Sequence, residues 1–273
     1  MLQKMTLMES MTARMNMMAW LLLKNNIPFL LNHCHTINHH FSLLNVSLIQ
    51  RCFESKLNGM LETPDYSCWY RYSDDVYEPA EDTFIFLDGL EEEIKKGVIH
   101  KTGFGVELGC GSGLVSTALK KWTGLEILLI DINPKAIECS QLMLESNKIS
   151  GDLALSRSGI NLRANIADFI LINPPYVVTS NEELIESQNE CSLEASWAGG
   201  KDGTKLLFES LLPNAIRLLA ENGIIYLIAI RENKIENIKS FLGKEFTMEK
   251  VIERKAGREL LSLLKISRNK PVL

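Results

Sequence analysis

Asn173-Pro174-Pro175-Tyr176 follows directly on the apolar run Phe169–Ile172. An Asn that ends a buried strand, stiffened by two prolines and followed by an aromatic ring, suits one chemical task. It grips a planar –NH2 group and presents the nitrogen to an electrophile. The Asn173 side-chain carbonyl is placed to accept one N–H of the target, and the Pro174 backbone carbonyl the other. Both bonds favour a pyramidal nitrogen, which releases its lone pair from conjugation. Proline fixes its own φ, so both acceptors are aimed before the guest arrives. Tyr176 is available to stack on the flat amide or base. A rigid structural turn is the plain alternative for these four residues taken alone.

A second constellation supplies the electrophile. Glu107-Leu108-Gly109-Cys110-Gly111-Ser112-Gly113 lies between an apolar strand and a helix. Glycines there allow a tight turn and close backbone approach to a ligand. A dinucleotide fingerprint needs a third Gly three positions after the second, and Leu114 stands at that position. Glu107 would repel a pyrophosphate but attract the ammonium of an amino-acid cofactor. Asp131 ends the next strand, where a carboxylate can accept both ribose hydroxyls. Taken in this order, Glu107, Gly109, Gly111, Gly113 and Asp131 favour S-adenosylmethionine over NAD.

These residues need a sheet to position them. Apolar strands and amphipathic helices alternate from about Ser73 onward. That pattern predicts an α/β fold, a doubly wound and mostly parallel sheet of seven strands covered on both faces. The spacing predicts a helix over Glu81–Glu93 and strands at Phe104–Leu108 and Leu125–Ile130. Asn133 and Pro134 suit the N-cap and first turn of a helix reaching about Asn147. Strands are expected at Leu153–Leu155 and Ala167–Ile172. A helix is expected over Thr204–Ala220, stopped by Asn222-Gly223, then a strand at Ile224–Ile230 and a helix over Asn233–Leu242. Phe246–Glu253 and Glu259–Ile266 read as a closing antiparallel pair. In such sheets ligands bind beyond the strand ends at the switch point of the topology.

Composition narrows the class. Apolar residues are 46% and charged residues 23% of 273, as in ordinary globular proteins. The formal charge of −5 gives no general attraction to nucleic acid or to an anionic membrane. No apolar run is long enough to span a bilayer. The six cysteines include no CxxC pair and read as reduced thiols. Residues 1–70 differ from residues 71–273: they are rich in Met, Leu and Asn and poor in acids, and read as an extension apart from the chemistry. His33-Cys34-His35 and His39-His40 fit no standard zinc spacing, so no metal is expected.

Together these motifs resemble the class I methyltransferases of HemK type, and within them the eukaryotic release-factor glutamine methyltransferase branch. The resemblance covers about Ser73 to Ile266. Beyond the Asn-Pro-Pro-Tyr and glycine motifs it rests on Asp75-Val76-Tyr77-Glu78-Pro79-Ala80-Glu81-Asp82-Thr83 and on Asp131-Ile132-Asn133-Pro134. It rests also on Glu194-Ala195-Ser196-Trp197-Ala198-Gly199-Gly200 and on Ala256-Gly257-Arg258-Glu259-Leu260-Leu261-Ser262. It implies that Thr83, Glu107, Gly109 and Asp131 hold S-adenosylmethionine, and that Asn173 also borders the cofactor. It implies that Asn173, Pro174, Pro175, Tyr176 and Val177 hold a glutamine side chain of a Gly-Gly-Gln motif in the translation termination factor. A small zinc-binding activator subunit, covering an apolar sheet edge in a heterodimer, is the implied partner, and the cytosol the implied compartment. A nuclear or mitochondrial site is the alternative.

One position departs from the family. An acidic residue after the third strand contacts the adenine amino group there, and Ala154–Gly159 carries none. Either Ser158 and the backbone remake that contact, or cofactor affinity is reduced. Competing substrates are lysine, which needs deprotonation, and duplex adenine, which must flip out. A degraded methyltransferase kept as a binding subunit is the non-enzymatic alternative.

Overall fold

The computed structural model describes residues 61–100, 102–233 and 235–269. The readings on residues 1–60, the histidine pairs among them, lie outside the described residues. One compact unit runs from Pro64 onward, so a boundary at residue 70 falls inside its first helical turn, Ser67–Tyr72. Trp69 of that turn is buried and donates its indole N–H to the Val76 carbonyl (2.9 Å).

Seven strands form one sheet in the order β3-β2-β1-β4-β5-β7-β6. They are β1 (Phe104–Leu108), β2 (Glu126–Asp131), β3 (Asp152–Leu155), β4 (Ala167–Ile172), β5 (Leu219–Ile230), β6 (Phe246–Ala256) and β7 (Glu259–Arg268). The first five run parallel, and β7 is antiparallel to both β5 and β6. The order reverses between β1 and β4, which pair directly from Gly105↔Phe169 to Leu108↔Ile172. That neighbouring pair brings the glycine motif after β1 beside the Asn-Pro-Pro-Tyr motif after β4.

The helices are α1 (Glu81–Lys95), α2 (Leu114–Thr123), α3 (Pro134–Ser146), α4 (Asn181–Glu190), α5 (Leu212–Leu218) and α6 (Ile235–Leu242). Glu81 and Asp82 sit in the first turn of α1, where the helix dipole favours negative charge. The Asn133 side chain caps α3 by accepting from the Lys135 N–H (2.8 Å), with Pro134 at the first position as the sequence predicts. Two cores flank the sheet. Ile85, Phe86 and Leu90 of α1 and Leu119 of α2 meet Leu129, Leu171 and Tyr226 on one face. Leu212 and Ala215 of α5 and Ile238 of α6 meet Val106, Ile170 and Leu227 on the other. A central strand buried on both sides cannot alternate, which explains the unbroken apolar runs.

Two expectations need correction. The helix expected over Thr204–Ala220 is shorter and interrupted: Leu207–Leu211 forms a π-helical turn before α5 begins. Pro213 has no N–H to give, so the ladder shifts register ahead of it. α5 then stops at Leu219, whose extended backbone starts β5 opposite Ala167. Asn222-Gly223 is therefore not a helix stop. It lies inside β5 at an irregularity where Ala167↔Leu219 gives way to Phe169↔Ile224. A Cβ on Gly223 would lie 2.8 Å from the Ala167 carbonyl oxygen, so the strands approach there only without a side chain. The second correction is α4, absent from the sequence reading. Its ten residues bury only Leu184, Ser187 and Gln188, and too little apolar periodicity marks it.

Candidate active site

A cavity of about 430 Å³ opens at the carboxyl ends of β1, β2 and β4. Three strand ends place its acids and its amide. Glu107 is the fourth residue of β1 and is buried, 2% exposed. Its carboxylate accepts the Ser116 N–H at the start of α2 (3.2 Å). Burial pushes the Glu107 carboxyl up to about 8, with the Asp131 charge adding to it and the Ser116 hydrogen bonds opposing it. A buried acid of this kind is ionised by a cationic guest that restores its partner.

Asp131 ends β2. It accepts from the Gly111 N–H through Oδ2 and from the Asn133 N–H through Oδ1 (2.9 Å each). Burial raises its pKa, and those backbone donors counter the rise. Gly109 and Gly111 both have positive φ, 78° and 52°, and a Cβ on either would meet nothing within 4 Å. The turn thus needs glycine for its backbone and leaves open space beside it. This loop, with a buried carboxyl wanting a cation and a second carboxylate across from it, fits an amino-acid-bearing nucleoside. Gly113 has another role. It does not line the cavity, and a Cβ there would lie 2.6 Å from the Ser140 hydroxyl. It lets α2 pack against α3.

Thr83, Ser158 and Val177 also line the cavity, as expected. The Ser158 hydroxyl is shared with that of Ser210 (2.9 Å), so its freedom to contact a ligand is reduced. Arg157 donates to the Gln188 carbonyl (3.1 Å), tying the turn after β3 to α4.

Asn173, Pro174, Pro175 and Tyr176 form the opposite wall. The Asn173 Nδ2 donates to Asp82 Oδ2 (3.1 Å), and the Tyr176 hydroxyl donates to the same oxygen (3.2 Å). Asn173 Oδ1 is buried and accepts no hydrogen bond within the protein. Burial and the Asp82 charge push the Tyr176 pKa up, and the same two causes push Tyr77 up to about 12. Both phenols therefore remain protonated donors. Glu259, from the start of β7, also lines the cavity, and burial raises its carboxyl.

The loop beyond Tyr176 is braced by a second loop. Val177 donates to the Trp197 carbonyl and accepts from the Gly199 N–H (2.9 Å each). Asn233, buried after β5, donates to the carbonyls of Tyr176 (3.5 Å) and Gly203 (3.4 Å) and accepts from the Ile230 N–H (3.1 Å). Gly203 has φ 65°, and a Cβ there would sit 2.1 Å from the Tyr176 carbonyl oxygen. Gly203→Ala is therefore expected to destabilise the fold by about 2 kcal/mol or more. It should also cut turnover by displacing the Tyr176 backbone, as denaturation curves and rate assays on the same preparation would show.

Sequence reasoning did not assign Asp82, Tyr77, Gly203, Asn233 or Glu259 to the site. Asp82 and Tyr77 stand inside the Asp75–Thr83 motif and Glu259 inside Ala256–Ser262, which was the available signal. Asn233 had none: its contacts are all with residues at least three positions away in the chain and mostly far away.

A seven-stranded sheet in this order, with a glycine turn after β1 facing Asn-Pro-Pro-Tyr after β4, defines a class I methyltransferase. Residues 81–190 match the Methyltransferase small domain family. The chain is 36% identical over 211 residues to the eRF1 methyltransferase catalytic subunit mtq2 of Schizosaccharomyces pombe, covering 71% of this chain and 90% of that protein. It is 36% identical over 203 residues to Methyltransferase HEMK2 of Homo sapiens, covering 71% and 91%. A chain of the E. cuniculi Mtq2–Trm112 complex shares the fold, with a TM-score of 0.55 and 20% identity, over 71% of this chain and 99% of that one. The chain belongs to the HEMK2 and Mtq2 family, the eukaryotic release-factor branch of HemK-type methyltransferases.

Proposed function

We propose that this chain methylates the side-chain amide nitrogen of the glutamine in a Gly-Gly-Gln motif of the translation termination factor, using S-adenosylmethionine. The observation that carries the reading is the buried, unsatisfied Asn173 Oδ1 at the cavity wall. A buried acceptor without a donor costs about 1–3 kcal/mol, and a guest N–H removes that cost. When bound, S-adenosylmethionine supplies a methyl group on a positively charged sulfur. Glu107 takes the cofactor's ammonium, Asp131 its ribose hydroxyls, and the Gly109–Gly111 turn lets the backbone approach. Asn173 Oδ1 and the Pro174 carbonyl accept the two N–H groups of the amide, and Tyr176 packs on its plane. That clamp turns the nitrogen lone pair out of conjugation. No strong base is required, since the nitrogen becomes acidic on methylation and its extra proton leaves to solvent. Positioning of this kind is worth on the order of 7–11 kcal/mol of barrier.

The relatives' names point the same way: one is a catalytic subunit acting on eRF1, and one solved relative is a complex with Trm112. A small zinc-binding activator fits the β3 edge of the sheet, where Leu155 is 60% exposed and Ile160, just beyond, 62%. The cytosol, where termination factors work, is the expected compartment. The test is mass spectrometry of termination factor incubated with this chain, its activator and S-adenosylmethionine. One methyl on the Gly-Gly-Gln glutamine is expected. Methyl on lysine or adenine instead, or no transfer at all, would overturn the reading.

A further inference from the structure

We propose that Asp82 is the positioning residue that sets which way the Asn173 amide faces, and so makes the site an acceptor for N–H donors. This rests on the reading of the cavity as an amide-methylating site. Asp82 is 4% exposed and stands in the first turn of α1. Its Oδ1 accepts the Thr83 N–H (2.7 Å), which anchors the carboxylate to the helix. Its Oδ2 faces Asn173 and Tyr176 (3.1 and 3.2 Å).

A carboxylate only accepts, so the end of the Asn173 amide that faces it must be the NH2 group. The carbonyl end is then turned away from Asp82. It is the atom left buried without a partner. Without Asp82, the amide is free to reverse, and an NH2 group would face the guest. Two donors would then oppose each other, and a target –NH2 would be refused. The Asp82 charge also polarises the Asn173 amide. Its carbonyl becomes a stronger acceptor as positive charge grows on the guest nitrogen. Tyr176, a protonated phenol, holds the same oxygen from a second side and keeps it in place.

Asp82→Asn separates orientation from packing. The variant is nearly isosteric, and its Oδ1 keeps the Thr83 N–H bond. Its NH2 now meets the Asn173 NH2, and the conflict is relieved only if Asn173 turns over. Two measurements read this on the full chain with its activator. The first is hydrogen exchange of the Asn173 side-chain amide by NMR, its signal assigned through its loss in Asn173→Asp. The second is methyl transfer to termination factor beside calorimetric cofactor affinity. In wild type one Asn173 amide proton is expected to exchange at least tenfold more slowly than those of exposed Asn residues. In Asp82→Asn that protection is lost, and transfer falls by at least 100-fold, with cofactor affinity within threefold. Unchanged protection in Asp82→Asn, or transfer within threefold of wild type, would overturn the proposal. If wild type itself transfers nothing, the functional reading fails, while the exchange measurement still decides the amide's orientation.

Discussion

Replacing Asn173 with alanine is expected to lower methyl transfer about 10³-fold while cofactor affinity changes less than about tenfold. Among the described residues, Asn173 Oδ1 is the buried side-chain acceptor at the cavity wall that has no partner within the protein. Its loss removes the contact that strengthens as positive charge develops on the reacting nitrogen, so the effect falls on the chemical step. The cofactor's charged groups are held elsewhere, on Glu107 and Asp131, and lose nothing. Single-turnover assays read the first effect and calorimetry the second. Transfer by Asn173→Ala within tenfold of wild type would remove Asn173 from the mechanism.

Glu107→Gln should make the protein more stable and cofactor binding much worse. Burial holds the Glu107 carboxyl at about 8 in the fold, against 4.5 for an ordinary glutamate. An acid with a raised folded pKa contributes most below its unfolded pKa. That contribution is lost as pH climbs from about 4.5 to about 8. Across the window the loss is roughly 5 kcal/mol. Glutamine keeps the volume and still accepts the Ser116 N–H, but carries no charge to desolvate. Near pH 9 the variant should exceed wild type by several kcal/mol, and near pH 4 the two should match. Cofactor affinity moves the other way, falling about 100-fold or more, because the ammonium loses its buried counter-charge. In wild type, affinity should rise with pH toward about 8 and fall beyond it, as the cofactor's ammonium loses its own proton. Denaturation and titration at three pH values would check both signs. Equal stability of the two proteins near pH 9 would remove the strain assigned to Glu107.

The legible parts of the fold are those with a single physical cause. Strands β1, β2 and β4 read from their apolar runs, and α3 read from Asn133 and Pro134. The elements that failed depend on something outside their own sequence. α4 is mostly exposed and pairs its turn through Arg157 and Ser180, so no apolar stripe announces it. The early start of β5 reflects pairing of Leu219 with Ala167, fifty-two positions back in the chain. In the site, Asn173 and the two acids were visible because each stands at or beside the carboxyl end of a strand. Gly113 was read with the cofactor turn, and a glycine's own sequence does not say which neighbour needs the space. Ser140 does. Asp82 stood in plain view as part of a motif. Its role needed the distance to Asn173, ninety-one positions away.

Strand β7 lies between β5 and β6 in the sheet. During synthesis β6 leaves the ribosome first and has no neighbour to pair with until β7 follows. The parallel half, with the glycine turn and Asn173, can begin to collapse earlier, because β1 to β5 are already in hand. A nascent chain would thus pass through a stage with β5 as an open, strongly apolar edge, the kind of surface that aggregates or recruits chaperones. Glu259, which opens β7, reaches the cavity only as that edge is sealed. Completion of the sheet and completion of the catalytic wall are then the same event in the life of the chain.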